Sequence, residues 1–184
     1  MIFAAGLGTR LKPLTDTMPK AMVPVGGIPL IHRTLQRLIV AGATEIVINV
    51  HHFANQIVDY VSQLHYDGVR ISISDESEEL LDTGGGLLHA APLFSADNSP
   101  VLIHNVDILS NADLRGFYSI SLKNDATLLV SQRKTKRYLL FDNDMRLKGW
   151  TNIETGEVKS PFQNLNMDEL HPVSYTHLTL PTIR

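Results

Sequence analysis

Apolar residues along the chain recur with two different periods. Met1-Ile2-Phe3-Ala4-Ala5 reads as the end of a buried strand running straight into glycine; it is short for a first strand, so a few residues are expected before Met1. Pro29 opens a helix in which Ile31, Leu35, Leu38 and Ile39 follow the helical period, and Gly42 stands where a helix stop belongs. Glu45–Val50 is a β-branched strand, and Ala54–Leu64 returns to helix with Ile57, Val58, Val61 and Leu64 on one face. Val69–Ser74 alternates apolar against polar residues as a half-buried strand does. Gly84–Ala91 is the next helix and Val101–His104 the next buried strand. Strands alternating with helices imply parallel pairing through right-handed crossovers, hence an α/β sheet with helices on both faces.

The rhythm changes after about residue 110. Ala126–Ser131 is a strand, and Tyr138–Phe141 and Arg146–Trp150 flank Asp142-Asn143-Asp144-Met145 as an antiparallel hairpin. The final segment, Val173–Arg184, shows no amphipathic plan and is similar to a vector or adapter read-through. It is set apart as a non-native tail, with Tyr175, Leu178, Leu180 and Ile183 expected to dock in no regular element. This leaves 1–172 as one partial domain.

Composition narrows the classes. With 43% hydrophobic and 19% charged residues, the 184-residue chain has an ordinary globular balance, which excludes disorder. A net charge of −3 offers no general basic surface for nucleic acid, and no apolar run is long enough to span a membrane. The absence of cysteine excludes disulfides and thiolate metal sites and fits a cytoplasmic protein. The eight histidines include no pair at zinc-ligand spacing, and no Gly-x-Ser-x-Gly elbow occurs.

Candidate chemistry concentrates in three places. Gly6-Leu7-Gly8-Thr9-Arg10 follows the first strand directly, where glycines let backbone N–H groups approach phosphate oxygens. It matches neither the dinucleotide fingerprint nor a Walker loop, and the glycines alone equally suit a tight turn. Arg10 and Lys20 add a forked and a point cation to the same loop, and Pro13, Pro19 and Pro24 stiffen it. Asp107 ends a buried strand with a hard carboxylate suited to Mg²⁺, although a turn or N-cap aspartate reads the same. Leu81-Asp82-Thr83-Gly84-Gly85-Gly86 opens a helix with free amides and room for a base or sugar, or is simply a flexible turn.

Together, Ala4-Ala5-Gly6-Leu7-Gly8-Thr9-Arg10-Leu11-Lys12-Pro13-Leu14-Thr15, Pro19-Lys20 and Pro24-Val25-Gly26-Gly27-Ile28-Pro29-Leu30 resemble the signature of the sugar-1-phosphate nucleotidylyltransferases. The second glycine run and the strand ending in Asp107 fall in that family's order and spacing. The resemblance covers residues 1 to about 165, and the Leu-Asp-Thr-Gly-Gly-Gly run looks most like N-acetylmuramate-1-phosphate uridylyltransferases, with mannose-1-phosphate guanylyltransferases close behind.

The resemblance implies an α/β, three-layer, Rossmann-like nucleotidyltransferase sheet, mostly parallel with an antiparallel hairpin and incomplete at the C-terminus. It implies transfer of a nucleoside monophosphate from an NTP (UTP or GTP) to a sugar 1-phosphate with Mg²⁺. Ala5, Gly6, Leu7, Gly8 and Thr9 would hold the phosphates, Arg10 and Lys20 would be catalytic, Asp107 would bind metal, and Asn105, Gly84 and Gly85 would line the nucleoside side. The rivals are a non-catalytic nucleotide-sensing paralogue and a cytidylyltransferase acting on a phosphocholine-type acceptor. Two departures stand out: Asn105-Val106-Asp107 replaces the family's usual Asn-Gly-Asp, and the family's second metal aspartate and much of its sugar-binding half lie beyond residue 184.

Overall fold

The structure, a computed structural model, describes residues 1–97, 99–122, 126–131, 133–162 and 165–181. The chain divides into two compact units, 1–127 joined by the end of the chain from Leu178, and 128–177.

The first unit contains β1 (Ile2–Phe3), a small hairpin of β2 (Pro24–Val25) and β3 (Ile28–Pro29), α1 (Leu30–Val40), β4 (Glu45–Val50), α2 (Ala54–Ser62), β5 (Arg70–Asp75), α3 (Asp82–Ala90), β6 (Ile103–Asn105) and α4 (Leu114–Ser121). Its sheet runs β6-β1-β4-β5, all parallel, with Ile2 opposite both Ile48 and His104. Strand alternation sorts the core into two faces. Met1, Phe3, Val47 and Ile103 pack with Leu87 and Ala90 of α3. The intervening Ile2, Ile46, Ile48 and Val50 point to the other face, and Ile31, Leu35 and Leu38 of α1 and Ile57 of α2 are buried as well. Each such Ile or Leu contributes roughly 1.5–3 kcal/mol when removed from water. Pro29 caps α1 at its N-terminus, and Gly42 supplies the positive φ of 104° just past its end. α3 begins at Asp82, two residues before the start expected from the glycines, and β6 is shifted to Ile103–Asn105.

The second unit holds most of β7 (Ala126–Ser131), β8 (Arg137–Phe141), β9 (Leu147–Asn152), β10 (Glu157–Lys159) and most of β11 (His171–Pro181). β8 and β9 form the expected hairpin, with Leu140 opposite Gly149, and β10 extends it antiparallel. His171–Val173 of β11 pair with Leu139–Phe141 on the other side of β8.

The terminal segment departs from expectation. β11 is a regular strand, and its Leu178 and Thr179 pair antiparallel with His104 and Ile103 of β6. Backbone explains this better than side-chain patterning. An unpaired β6 edge presents a row of N–H and C=O groups, and any extended segment that reaches it can satisfy them. Ile183 lies outside the described residues.

Candidate active site

Strand order locates the site before any side chain is considered. From β1 the chain steps outward through β4 to β5, then returns by way of α3 to place β6 on the opposite side of β1. Order therefore reverses between β1 and β6, and in open α/β sheets such a reversal leaves a crevice at the carboxyl ends of the strands. β1 runs there into Gly6, and β6 into Asp107. A cleft of about 210 Å³ occupies the position, lined by Ala5, Gly6, Lys20, Asn105 and Asp107 together with Asn49, Glu76, Asp82 and Thr83.

The glycine loop is a sequence of tight turns. Gly8 has φ 64°, and its carbonyl accepts from Leu11 N–H at 2.8 Å and from Thr15 Oγ1 at 2.8 Å. A Cβ at Gly8 would lie 2.9 Å from Thr15 Cγ2 and 3.2 Å from Lys20 Cβ, so glycine here sets the spacing between the turn and the lysine. Pro19 leads into the short helical turn Lys20–Met22, and Gln56 of α2 donates to the Thr17 carbonyl at 2.9 Å. Lys20 thus stands on a loop tied down at both ends.

Asp107 is positioned from α1. Thr34 Oγ1 donates to the Val106 carbonyl at 3.2 Å, while the Arg37 guanidinium donates to the carbonyls of Ser110 and, at 2.7 Å, Ala112. Across the cleft Lys20 Nζ forms an ion pair with Asp107 Oδ2. Val106 is only 2% exposed, so the bulk that replaces the expected glycine is taken up mainly by the interior, although the residue still touches the cleft wall. His104, fully buried on β6, bonds through Nδ1 with the Asn105 carbonyl at 2.7 Å, and burial lowers its pKa to about 4.

The other expected residues are placed differently. Leu7, Thr9 and Arg10 are exposed on the loop outside the cleft lining, and Gly84 and Gly85 lie in the first turns of α3 beside the lining residues Asp82 and Thr83. Sequence reasoning missed Asn49 and Glu76. Ala4 N–H donates to Asn49 Oδ1 at 2.8 Å, Asn49 Nδ2 donates to Glu76 Oε1 at 2.8 Å, and Leu81 N–H donates to Glu76 Oε2 at 3.3 Å. The available signal was an asparagine inside the otherwise apolar strand Ile-Val-Ile-Asn-Val. Among the described residues no group of three or more His, Asp or Glu forms a metal cluster, and no helix is long and apolar enough to cross a membrane.

A glycine-rich loop at a sheet switch point here faces a lysine and a strand-end carboxylate, an arrangement that offers backbone amides and a cation to an anionic ligand. The chain belongs to the nucleotidyl transferase family, whose model matches residues 1–138. It is 44% identical over 109 residues to N-acetylmuramate alpha-1-phosphate uridylyltransferase from Caulobacter vibrioides, covering 58% of this chain and 44% of that protein. It is 37% identical over 116 residues to mannose-1-phosphate guanyltransferase from Pichia angusta, covering 62% of this chain and 32% of the relative. The chain therefore spans less than half the length of either relative. In fold it is similar to HddC from Yersinia pseudotuberculosis complexed with GMP-PN, with a TM-score of 0.74, 24% identity, and coverage of 98% of this chain and 75% of that one.

Proposed function

We propose that the protein transfers a nucleoside monophosphate from UTP or GTP to a sugar 1-phosphate. An anionic oxygen of the sugar phosphate attacks the α-phosphorus, a new P–O bond forms, the bond to the bridging oxygen of the β-phosphate breaks, and pyrophosphate leaves with that electron pair. No proton has to be removed from the nucleophile, so the protein's task is alignment and charge stabilisation. The observation that carries this reading is the cleft at the switch point, where the Gly6 loop, Lys20 and Asp107 face one another.

In this reading the amides of Ala5 through Thr9 receive phosphate oxygens, Lys20 balances charge developing at the α-phosphate, and Arg10 folds in from the exposed loop onto the departing pyrophosphate. Asn105, Gly84 and Gly85 border the nucleoside, with Asp82 and Thr83 between them. The donor set suits Mg²⁺, which needs one or two carboxylates and takes its other ligands from phosphate and water. Asp107 would hold it, and the bound ion would neutralise phosphate charge. Lys20 must first release Asp107, and an incoming triphosphate offers the ammonium an alternative partner. The uridylyltransferase and guanyltransferase likenesses support UTP or GTP, and the cysteine-free composition supports a cytoplasmic setting.

Pyrophosphate release measured across NTPs crossed with sugar 1-phosphates tests the proposal. Release that requires both a sugar 1-phosphate and UTP or GTP is expected. Nucleotide binding without release would instead favour a sensing role.

A further inference from the structure

Two buried polar residues between the glycine-bearing walls of the cleft are left over from the chemistry above. Asn49 is 1% exposed and Glu76 3% exposed. Groups of this kind destabilise a fold unless fully paired, and here the pairing runs in one direction. Ala4 N–H can only donate, so Asn49 presents Oδ1 to it and Nδ2 to Glu76; the carboxylate accepts from Asn49 and from Leu81 N–H. Ala4 immediately precedes the Gly6 loop, and Leu81 immediately precedes α3 with its glycines. The third of those glycines packs against the pair: a Cβ on Gly86 would lie 2.6 Å from Glu76 Oε1 and 3.1 Å from Asn49 Nδ2. Gly84, by contrast, has nothing within 4 Å.

We propose that Asn49 and Glu76 are positioning residues that fix the separation of the two glycine walls, and through it nucleotide affinity, by a directed hydrogen-bond relay from Ala4 to Leu81. The proposal rests on the nucleotide reading of the cleft and adds to it a pair of residues that need not touch the reacting phosphates. Both line the cleft, but their polar atoms are engaged by each other and by the backbone of its walls.

The relay's polarity supplies its own test. Asn49→Asp alone sets two carboxylates against each other with no donor between them. Glu76→Gln alone introduces an NH₂ that must meet either Asn49 Nδ2 or Leu81 N–H, donor against donor. In the N49D/E76Q double variant, however, the new carboxylate at position 49 accepts from both Ala4 N–H and the new amide at position 76. The amide oxygen at 76 then accepts from Leu81 N–H, so all three bonds and the total charge are restored.

The experiment is calorimetric titration of UTP and GTP with Mg²⁺ into the chain and its three variants. It is run well below each variant's Tm and accompanied by circular dichroism, so that only folded protein is compared. Each single variant is expected to bind the preferred nucleotide at least about tenfold more weakly, and the double variant to return to within about threefold of the parent. Loss of fold stability alone lowers Tm and leaves the Kd of folded protein unchanged; that result overturns the proposal. So does a double variant that binds no better than the weaker single one. A parent chain that binds neither nucleotide overturns the reading of the cleft itself and the proposal with it.

Discussion

Replacing Gly8 with alanine perturbs the loop in two separable ways. At φ 64° a Cβ meets backbone strain, which costs an L-residue about 1–2 kcal/mol. The same Cβ would stand 2.9 Å from Thr15 Cγ2 and 3.2 Å from Lys20 Cβ, a fit closer than van der Waals contact allows. Overpacking of this kind costs about 1–3 kcal/mol, and relief requires Thr15 or Lys20 to move. Moving Thr15 sacrifices its bond to the Gly8 carbonyl; moving Lys20 shifts the ammonium away from Asp107. A total of about 2–5 kcal/mol is expected, a large share of the ~5–15 kcal/mol typical of a folded domain. Urea unfolding followed by circular dichroism measures it, with Gly84→Ala as the comparison. Gly84 lies in α3 with open space around it, so alanine there is expected to match the parent or add up to about 1 kcal/mol through helix propensity. Equal unfolding midpoints for the two variants would refute the assignment of Gly8 as the spacer between turn and lysine.

Lys20→Ala is expected to retain the fold and reduce pyrophosphate release by about 10²–10³; near-parental turnover returns Lys20 to an ordinary surface charge. Asp107→Asn keeps the shape but removes the carboxylate's charge, so Mg²⁺-dependent turnover should fall further than nucleotide affinity, and parental activity that survives EDTA would count against a metal at this position. Burial holds His104 near pKa 4, beside Arg37 and Asp107, whereas an unfolded imidazole titrates near 6.5. Unfolding therefore takes up a proton between those values, and stability should decline by up to about 3 kcal/mol as pH falls from 6.5 to 4. His104→Leu should flatten that slope in pH-dependent urea titrations; an unchanged slope assigns it to other groups. Deleting 178–184 uncovers the β6 edge and should lower stability by about 1–2 kcal/mol for the backbone bonds lost at Leu178 and Thr179, and an unchanged Tm would show that this pairing carries no weight.

Where the residue pattern is strong the fold was legible, both in the buried strand Glu45–Val50 and in the half-exposed strand Ala126–Ser131. Both have the expected bounds, and α1 starts directly after Pro29. α4 escaped because its stop and start signals are local. Asp113 caps it by accepting from Gly116 N–H, and with only eight residues its buried face carries just Leu114 and Phe117, with Ser121 beside them. β10 is short and fully exposed, so it has no burial pattern to read, and β11 is held by backbone pairing that side chains do not announce. The glycine loop, Lys20 and Asp107 could be found from residue type and order. The Asn49–Glu76 pair could not, because its members are 27 positions apart and only the β4–β5 pairing brings them together. The clamp of Thr34 and Arg37 on the segment around Asp107 is hidden for the same reason.

The Lys20–Asp107 ion pair also bears on how a ligand arrives. With its ammonium already neutralised by the carboxylate, and the chain carrying a net charge of −3, Lys20 projects little positive field into solution. On the nucleotide reading, an approaching triphosphate would therefore gain little from Lys20 over a Debye length of about 8–10 Å, and this lysine would add little to steering the encounter. Its attraction would be released only after docking, when phosphate displaces the carboxylate from the lysine. Salt acting at this lysine would then change how long the nucleotide stays rather than how fast it comes.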